Sequence, residues 1–142
     1  MDYKEGGSYT TPARTITEAD IVLFAGLSGD YNRLHTDEEY ASRGFFGGRI
    51  AHGALTFSVT TGLWYAAGLF RDAKAFYGVD QLRFTKPVRV GDTIHCEVDV
   101  SKIYERGGNL LVEFESKTMN QRGELVLTLK GKMLVEGGKA SR

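Results

Sequence analysis

Residues 50–70 read IAHGALTFSVTTGLWYAAGLF, and this stretch decides the fold of the chain. No charged residue lies between His52 and Arg71, and apolar residues recur at helical spacing. The pattern predicts one long helix, at about residues 53–69, that is buried on nearly all sides. The apolar positions at this spacing are Leu55, Val59, Gly62, Leu63, Ala66 and Ala67.

The second half of the chain alternates apolar and polar residues with the period of antiparallel strands. Glycine-containing turns at residues 105–109 and 120–123 predict hairpins between neighbouring strands. The predicted strands lie at residues 8–16, 76–86, 94–101, 110–115 and 125–135.

One apolar helix followed by an antiparallel meander of four strands predicts an α+β fold. Because nothing else is available to cover the helix, the sheet must wrap around it, which is the hotdog arrangement. A chain of 142 residues is long enough for one such domain and too short for a second of usual size. We therefore predict a single hotdog domain over residues 1–142, with its core at about residues 10–135.

The first third of the chain contains shorter helices with recognisable ends. Thr17 with Asp20 is typical of a helix start, and Gly29 is typical of the following helix end. Thr36 with Glu39 predicts a second capping box, at the start of a short helix. The segment between these helices is therefore predicted to be a short loop held at both ends.

This loop, residues 29–35, reads GDYNRLH and places a carboxylate, a carboxamide and an imidazole close together in sequence. Positions five residues apart point about 140° away from each other on a helix, so Asp30 and His35 converge only if the segment is not one helix. A converging pair can hold a water molecule between a base and an acid. The alternative is a polar turn, in which Asp30 and Asn32 cap backbone groups.

Composition excludes several other classes of protein. Lys and Arg together number 18, as do Asp and Glu, and this zero net charge argues against nucleic acid or an anionic membrane as the main partner. Cys96 is the only cysteine, which excludes an internal disulfide and a multi-cysteine metal site. No basic-then-apolar signal pattern opens the chain and no apolar run approaches the roughly 18 residues of a membrane span, so we expect a cytoplasmic location.

Three of these segments resemble a known family, the MaoC-like (R)-specific enoyl-CoA hydratases and 3-hydroxyacyl thioester dehydratases. Residues 29–35 resemble its signature, which is Gly-Asp, an aromatic residue, Asn, usually Pro, an aliphatic residue and His. Residues 50–54, IAHGA, resemble the start of the central helix in that family. Residues 84–88, FTKPV, with Gly91 and Asp92, resemble a strand and turn found across hotdog enzymes in general.

The resemblance implies that Asp30 and His35 are the catalytic pair, which adds water across the double bond of a 2-enoyl thioester to give the (R)-3-hydroxyacyl product. It implies substrate-binding roles for Asn32, Gly53 and Ser58, with Asn32 expected to hold the loop. A serine bonded to its own helix is an equal alternative for Ser58. We expect no metal and no cofactor, since coenzyme A thioester is the substrate, and a homodimer or a higher homo-oligomer.

His52 is expected to cap the helix or anchor a loop. Arg33 stands where the family usually has proline, which removes a backbone restraint but no reacting group. Bulky aromatic residues near the expected acyl tunnel predict a preference for short acyl chains of four to about six carbons. These residues are Phe45, Phe46, Phe57, Trp64 and Tyr65.

Two other functions remain open. A hotdog thioesterase commonly carries an Asp or Glu on or beside its long helix, and no carboxylate lies between His52 and Phe70. A non-catalytic acyl-thioester-binding subunit is expected to lack the Asp and His that this chain has. Both comparisons favour the hydratase.

Overall fold

A curved antiparallel sheet and the helix against its inner face form the centre of the computed structural model, which describes residues 2–137. This architecture confirms the predicted α+β class. In chain order the elements are β1 (Ser8–Thr10), β2 (Arg14–Thr15), α1 (Glu18–Ser28), α2 (Arg33–Thr36), α3 (Glu38–Ser42), α4 (Gly53–Ala66), β3 (Ala73–Phe84), β4 (Thr93–Arg106), β5 (Asn109–Met119) and β6 (Leu125–Val135).

The strands follow the order β1-β4-β5-β6-β3, and β2 also pairs with β4. Every pairing is antiparallel, as the alternation predicted. The single strand predicted at residues 8–16 is divided into β1 and β2, because Pro12 between them has no N–H group to offer a neighbouring strand.

The helix α4 is held to the sheet by both apolar and polar contacts. Trp64 is buried, and its ring meets Phe114 of β5 edge to face with 5.0 Å between centroids. The indole Nε1 donates to Ser116 Oγ at 2.9 Å, and the hydroxyls of Thr60 and Thr118 lie 2.8 Å apart. The buried polar atoms of Thr60 and Trp64 are therefore satisfied by strand β5.

Two details of α4 differ from the sequence prediction. The helix ends at Ala66 rather than near residue 69, and Gly68 follows with a positive φ of 85°. The prediction that it is buried on nearly all sides is wrong for the single chain, because the sheet covers only one side. The opposite side is exposed and uncharged, and it consists of Ala54, Ser58, Gly62, Tyr65 and Ala66.

The caps of the helices in the first third of the chain were only partly predicted. Thr17 and Asp20 form the expected capping box, and Gly29 ends α1 with a φ of 78°. The predicted box at Thr36 is wrong, because Asp37 caps α3 by accepting from the backbone N–H of Tyr40 at 3.0 Å. No helix among residues 2–137 is long and apolar enough to span a membrane.

Candidate active site

The segment that carries the predicted pair is a loop only in its first half. Residues 30–32 connect α1 to the single turn of α2, which contains His35. The turn forms because Asn32 Oδ1 accepts from the backbone N–H of Leu34 at 3.0 Å, and this supplies a cap that requires no proline at Arg33. Because Asp30 lies outside the helical turn, the two side chains can converge. Asn32 therefore holds the segment, as expected.

Asp30 is exposed, and its surroundings are those of a polar turn. Its backbone N–H donates to Ser28 Oγ at 3.1 Å, and its carboxylate Oδ1 accepts from the backbone N–H of Asn32 at 3.1 Å. The turn interpretation of this segment is thus correct for its backbone. One carboxylate oxygen is engaged in the turn, and the other makes no hydrogen bond within residues 2–137.

The ring of His35 is held in one orientation by the chain segment that precedes α4. Its Nδ1 lies 2.7 Å from the carbonyl oxygen of Ile50. A carbonyl only accepts hydrogen bonds, so Nδ1 carries a hydrogen, and in the neutral form of the ring this leaves a lone pair at Nε2. The side chain is nearly buried, with 9% of its surface exposed. This is the arrangement that a proton acceptor requires.

His52 lies against both members of the predicted pair. Its Nε2 is 2.9 Å from the backbone carbonyl oxygen of Asp30, and its ring stacks on that of His35 with 3.8 Å between centroids and 25° between planes. The expected anchoring of the loop is confirmed. The expected side-chain cap on α4 is absent, although His52 occupies the N-cap position.

Asp30, His35 and His52 each offer a side-chain atom within 4.8 Å of the other two. Such a cluster raises the possibility of a metal site, but the geometry of the rings opposes it. The lone pairs of two imidazoles lie in the ring planes, and planes stacked 25° apart do not meet at the roughly 2.0–2.1 Å that a zinc–nitrogen bond requires. The arrangement suits proton transfer better than metal coordination.

The other two predicted binding residues have ordinary structural contacts. Ser58 lies on the exposed side of α4, and its hydroxyl donates to the carbonyl of Ala54 at 2.9 Å, which is the alternative considered from the sequence. At Gly53 a side chain would lie 3.0 Å from the ring of Phe84, so this glycine is required at least for packing. Their roles in substrate binding remain predictions.

A cavity of about 320 Å³ lies beside the start of α4. Of the five aromatic residues predicted to line an acyl tunnel, only Phe46 lines this cavity. Trp64 belongs to the core and Phe45 is 93% exposed. The complete lining is Phe46, Ile50, Ala51, Gly53, Thr56, Phe84, Thr85, Lys86, Pro87, Val88 and Val126.

Phe84 was missed from the sequence as a lining residue. It stands at the end of β3, next to the Thr-Lys-Pro segment that had been recognised only as a feature of the fold. The cavity also includes Ile50, whose carbonyl holds His35, so the segment of residues 50–53 connects the cavity with the predicted pair.

Arg49 fastens this segment to the helices around it. Its guanidinium donates to both carboxylate oxygens of Glu18 at 2.6 Å and to Glu38 at 2.9 Å. The hydrogen bond from Arg49 lowers the pKa of Glu18. Glu18 is the first residue of α1 and Glu38 is the first residue of α3. Arg49 therefore connects both helices to the segment of residues 49–52, which carries His52.

Comparison with known proteins identifies the family of this chain. A family model described as the MaoC like domain matches residues 3–120. The (R)-specific enoyl-CoA hydratase of Rhodospirillum rubrum is 37% identical over 136 residues, which are 96% of this chain and 85% of that protein. Protein MaoC of Klebsiella aerogenes is 47% identical over 97 residues, and this match covers 68% of this chain but only 29% of that much longer protein.

Solved structures agree as well. The MaoC-like dehydratase from Rhodospirillum rubrum superposes with a TM-score of 0.84 at 30% identity, covering 96% of this chain and 94% of that one. A Mycobacterium tuberculosis protein described as a double hotdog fold has a TM-score of 0.87 at 20% identity, covering 97% of this chain and 44% of that one. The latter likeness supports the hotdog fold alone. The sequence, the fold and these relatives together establish that the chain belongs to the MaoC-like dehydratase family, a family of hydro-lyases.

Proposed function

We propose that this protein catalyses the reversible hydration of a 2-enoyl thioester, carried by coenzyme A or an acyl carrier, to the (R)-3-hydroxyacyl thioester. The observation that carries the proposal is the held ring of His35. Its Nδ1 donates to Ile50, which leaves Nε2 as the acceptor of the neutral ring, and a nitrogen of this ring lies within 4.8 Å of a carboxylate oxygen of Asp30. The (R)-specific hydratase of Rhodospirillum rubrum, which matches nearly the whole chain, supports the same reaction class.

In the proposed reaction, Asp30 and Nε2 of His35 hold one water molecule and remove a proton from it. The hydroxide formed bonds to the β-carbon, and the π electrons move toward the thioester oxygen. The pair then returns a proton to the α-carbon, so that the elements of water are added across the double bond. The step balances with water and substrate alone and calls for no oxidant, metal or cofactor.

Negative charge develops on the thioester oxygen during this step. The first N–H groups of α4, beginning at Gly53, have no partner within the helix ladder and carry its positive dipole end. We propose that they stabilise this oxygen. Gly53 also lines the cavity, which gives the thioester a route to these groups.

The cavity supports the proposed preference for short acyl chains. Phe46 and Phe84 are its bulky lining residues, and its volume of about 320 Å³ lies at the small end of ligand sites. We propose acyl chains of four to about six carbons as the preferred substrates. The residues proposed to limit chain length therefore differ from those expected from the sequence, except for Phe46.

We also propose a homodimer that acts in the cytoplasm. Within residues 2–137, β3 pairs with β6 on one side and has no neighbour on the other. A twelve-residue strand whose backbone N–H and C=O groups are unpaired along one edge can pair with a strand of a second chain. Helix α4 also packs against this strand, because the ring of Trp64 meets that of Phe76 with 5.9 Å between centroids.

Purified protein mixed with crotonyl-CoA tests the reaction directly. We expect loss of the enoyl absorbance without release of free thiol, and formation of the (R)-3-hydroxy product. Release of thiol would instead identify a thioesterase, a function that the lack of a carboxylate on α4 opposes. Binding without turnover would identify a non-catalytic acyl-thioester-binding subunit.

A further inference from the structure

His52 contacts the two members of the proposed pair by different parts of the same ring. Its edge donates from Nε2 to the backbone carbonyl oxygen of Asp30 at 2.9 Å. Its face stacks on the ring of His35 at 3.8 Å. On another side it meets Phe24 of α1, with 5.0 Å between ring centroids. With only 2% of its surface exposed, the ring has little freedom to leave this position.

The backbone that carries this ring is fixed in several directions. The N–H of Ile50 donates to the carbonyl of Leu34 at 3.1 Å, and the N–H of Ala51 donates to the carbonyl of Val88 at 2.7 Å. The carbonyl of His52 itself accepts from Thr56 in the first turn of α4, at 3.1 Å. The imidazole of His52 therefore belongs to a segment, residues 50–52, that is hydrogen-bonded to α2, to α4 and to the connection after β3.

Asp30, in contrast, is exposed and lies in a short turn whose hydrogen bonds are local. The bond from His52 is the contact that ties the Asp30 backbone to the segment holding His35. Without it, Asp30 would be held relative to His35 only by the local hydrogen bonds of residues 28–36, such as the one from Thr36 Oγ1 to the carbonyl of Tyr31 at 3.0 Å. A displacement of about 1 Å between reacting groups can cost on the order of a hundredfold in rate.

The hydrogen-bonding groups of the His52 side chain indicate a role in addition to packing. The Nδ1 atom of His52 is buried and has no hydrogen-bond partner among the described residues. An unsatisfied buried acceptor lowers stability, and a phenylalanine of similar shape would avoid that penalty while keeping the stack. Histidine at this position is thus explained by its Nε2–H donor, and the donor acts on Asp30.

We propose that His52 is a positioning residue that sets the distance between the Asp30 carboxylate and the His35 ring. The inference rests on the proposed hydration reaction and deepens it. His52 does not exchange a proton with the substrate. It acts through the other two residues, by a hydrogen bond to the backbone of one and a stacking contact with the ring of the other.

Two substitutions separate the two contacts. His52→Phe keeps a flat ring against His35 and removes the donor, whereas His52→Gln keeps an N–H donor and removes the ring. We expect each to lower kcat for crotonyl-CoA by about 10- to 100-fold, with KM changed less than about threefold, because positioning acts on the reacting groups. His52→Phe should unfold at the same temperature as the wild type or a higher one. His95→Phe, which alters a partly exposed histidine on β4, is the matched control.

A double-mutant cycle identifies the route of the effect. In an Asp30→Asn or His35→Ala background, His52→Phe should lower kcat by less than about threefold further, because the pair through which His52 acts is already disabled. Wild-type kcat in His52→Phe, or full multiplication of its loss in either background, would overturn the inference.

A spectroscopic measurement tests the positioning role independently of turnover. In ¹H–¹⁵N spectra, His52→Phe should shift the backbone amide signals of Asp30 and Asn32, while His95→Phe should leave them in place. Unchanged signals would overturn the inference even if the wild type proved inactive toward crotonyl-CoA. Inactivity of the wild type would overturn the proposed reaction instead, so the two failures are distinguishable.

Discussion

The carboxylate of Asp30 stabilises its own turn and, in the proposed reaction, also takes part in proton transfer. One oxygen accepts from the backbone of Asn32 and shapes the turn, while the same side chain lies within reach of His35. His35 is likewise held by Ile50 through one nitrogen, and its other nitrogen makes no hydrogen bond to the part of the chain that the structure describes. At the scale of single residues, structure and proposed chemistry use different atoms of the same side chains, so they can be tested separately.

Asp30→Asn and His35→Ala are each expected to lower the rate of hydration by about 10²–10⁴-fold, the usual cost of losing a general acid–base group. Both proteins should remain folded, because the amide oxygen of asparagine can still accept from Asn32 and His35 lies outside the central apolar core. Steady-state kinetics with crotonyl-CoA and thermal unfolding measure the two effects.

The double variant should lose little more than either single variant, since both residues handle one water molecule. Full multiplication of the two losses would contradict the shared water. Unfolding of Asp30→Asn would favour a purely structural turn.

At the scale of elements, the site depends on how α1, α3 and the start of α4 are held together. Arg49 bonds to the first residues of α1 and α3, and its own side chain is largely covered. The cavity depends in a similar way on the distance between the start of α4 and the end of β3, where Gly53 meets Phe84. Each of these contacts joins two elements, and each can be changed without touching the predicted pair.

Arg49→Met is expected to lower the free energy of unfolding at pH 7 by about 1 kcal/mol or more, because it removes hydrogen bonds between charged groups that are partly screened by water. The folded-state pKa of Glu18 is lowered by Arg49, so this stabilisation is present above the unfolded-state pKa of about 4.3 and is lost as the pH falls through the folded-state value.

The difference in stability between wild type and Arg49→Met should therefore shrink on acidification from pH 7 to pH 3, as measured by urea unfolding. Arg43→Met is a suitable control, since the one ion pair of Arg43 among residues 2–137 is an exposed contact with Glu39 at 3.6 Å. A difference that stays constant with pH would indicate that Arg49 contributes packing alone.

Phe84→Ala is expected to enlarge the cavity and to shift the preferred acyl chain from four to six carbons toward longer chains. The measurement is kcat/KM for a series of 2-enoyl-CoA substrates. Phe45→Ala alters a 93% exposed ring that does not line the cavity, and it should leave the series unchanged. A wild-type preference for ten carbons or more would refute the short-chain proposal.

In the whole molecule, as far as residues 2–137 describe it, one edge of the sheet is unpaired and one side of α4 is uncovered. Within the described chain, the bare edge of β3 carries exposed Phe76, Tyr77 and Phe84, and the exposed side of α4 has no charge. Both features are costly in a monomer and are explained together if a second copy pairs along β3.

Light scattering at micromolar concentration should therefore give about twice the 15.7 kDa mass of one chain. Gly62→Glu should shift the protein toward monomer, because it places a charge on the exposed side of α4, at a position where an added Cβ meets no atom of residues 2–137 within 4 Å. Lys102→Glu on β4 is the control for a change of charge elsewhere. A monodisperse wild-type monomer would contradict the dimer.

The elements of the hotdog fold and the pair proposed for catalysis could be predicted from the sequence. Periodicity and helix caps depend on residues only a few positions apart, so α4, β4–β6, and the ends of α1 could be predicted from local patterns. The motif at residues 29–35 likewise contains both proposed reacting groups. Their catalytic role remains a prediction, but their identity required no structure.

The tertiary structure decided how distant segments meet. The stacking of His52 on His35, the bond from His35 to Ile50 and the ring of Phe84 at the cavity join residues that no local pattern relates. The prediction that α4 is buried on nearly all sides was wrong for the single chain for the same reason, because burial depends on which surfaces the sheet reaches. Local sequence specifies the conformation of each segment, whereas contacts between segments follow from the path of the whole chain.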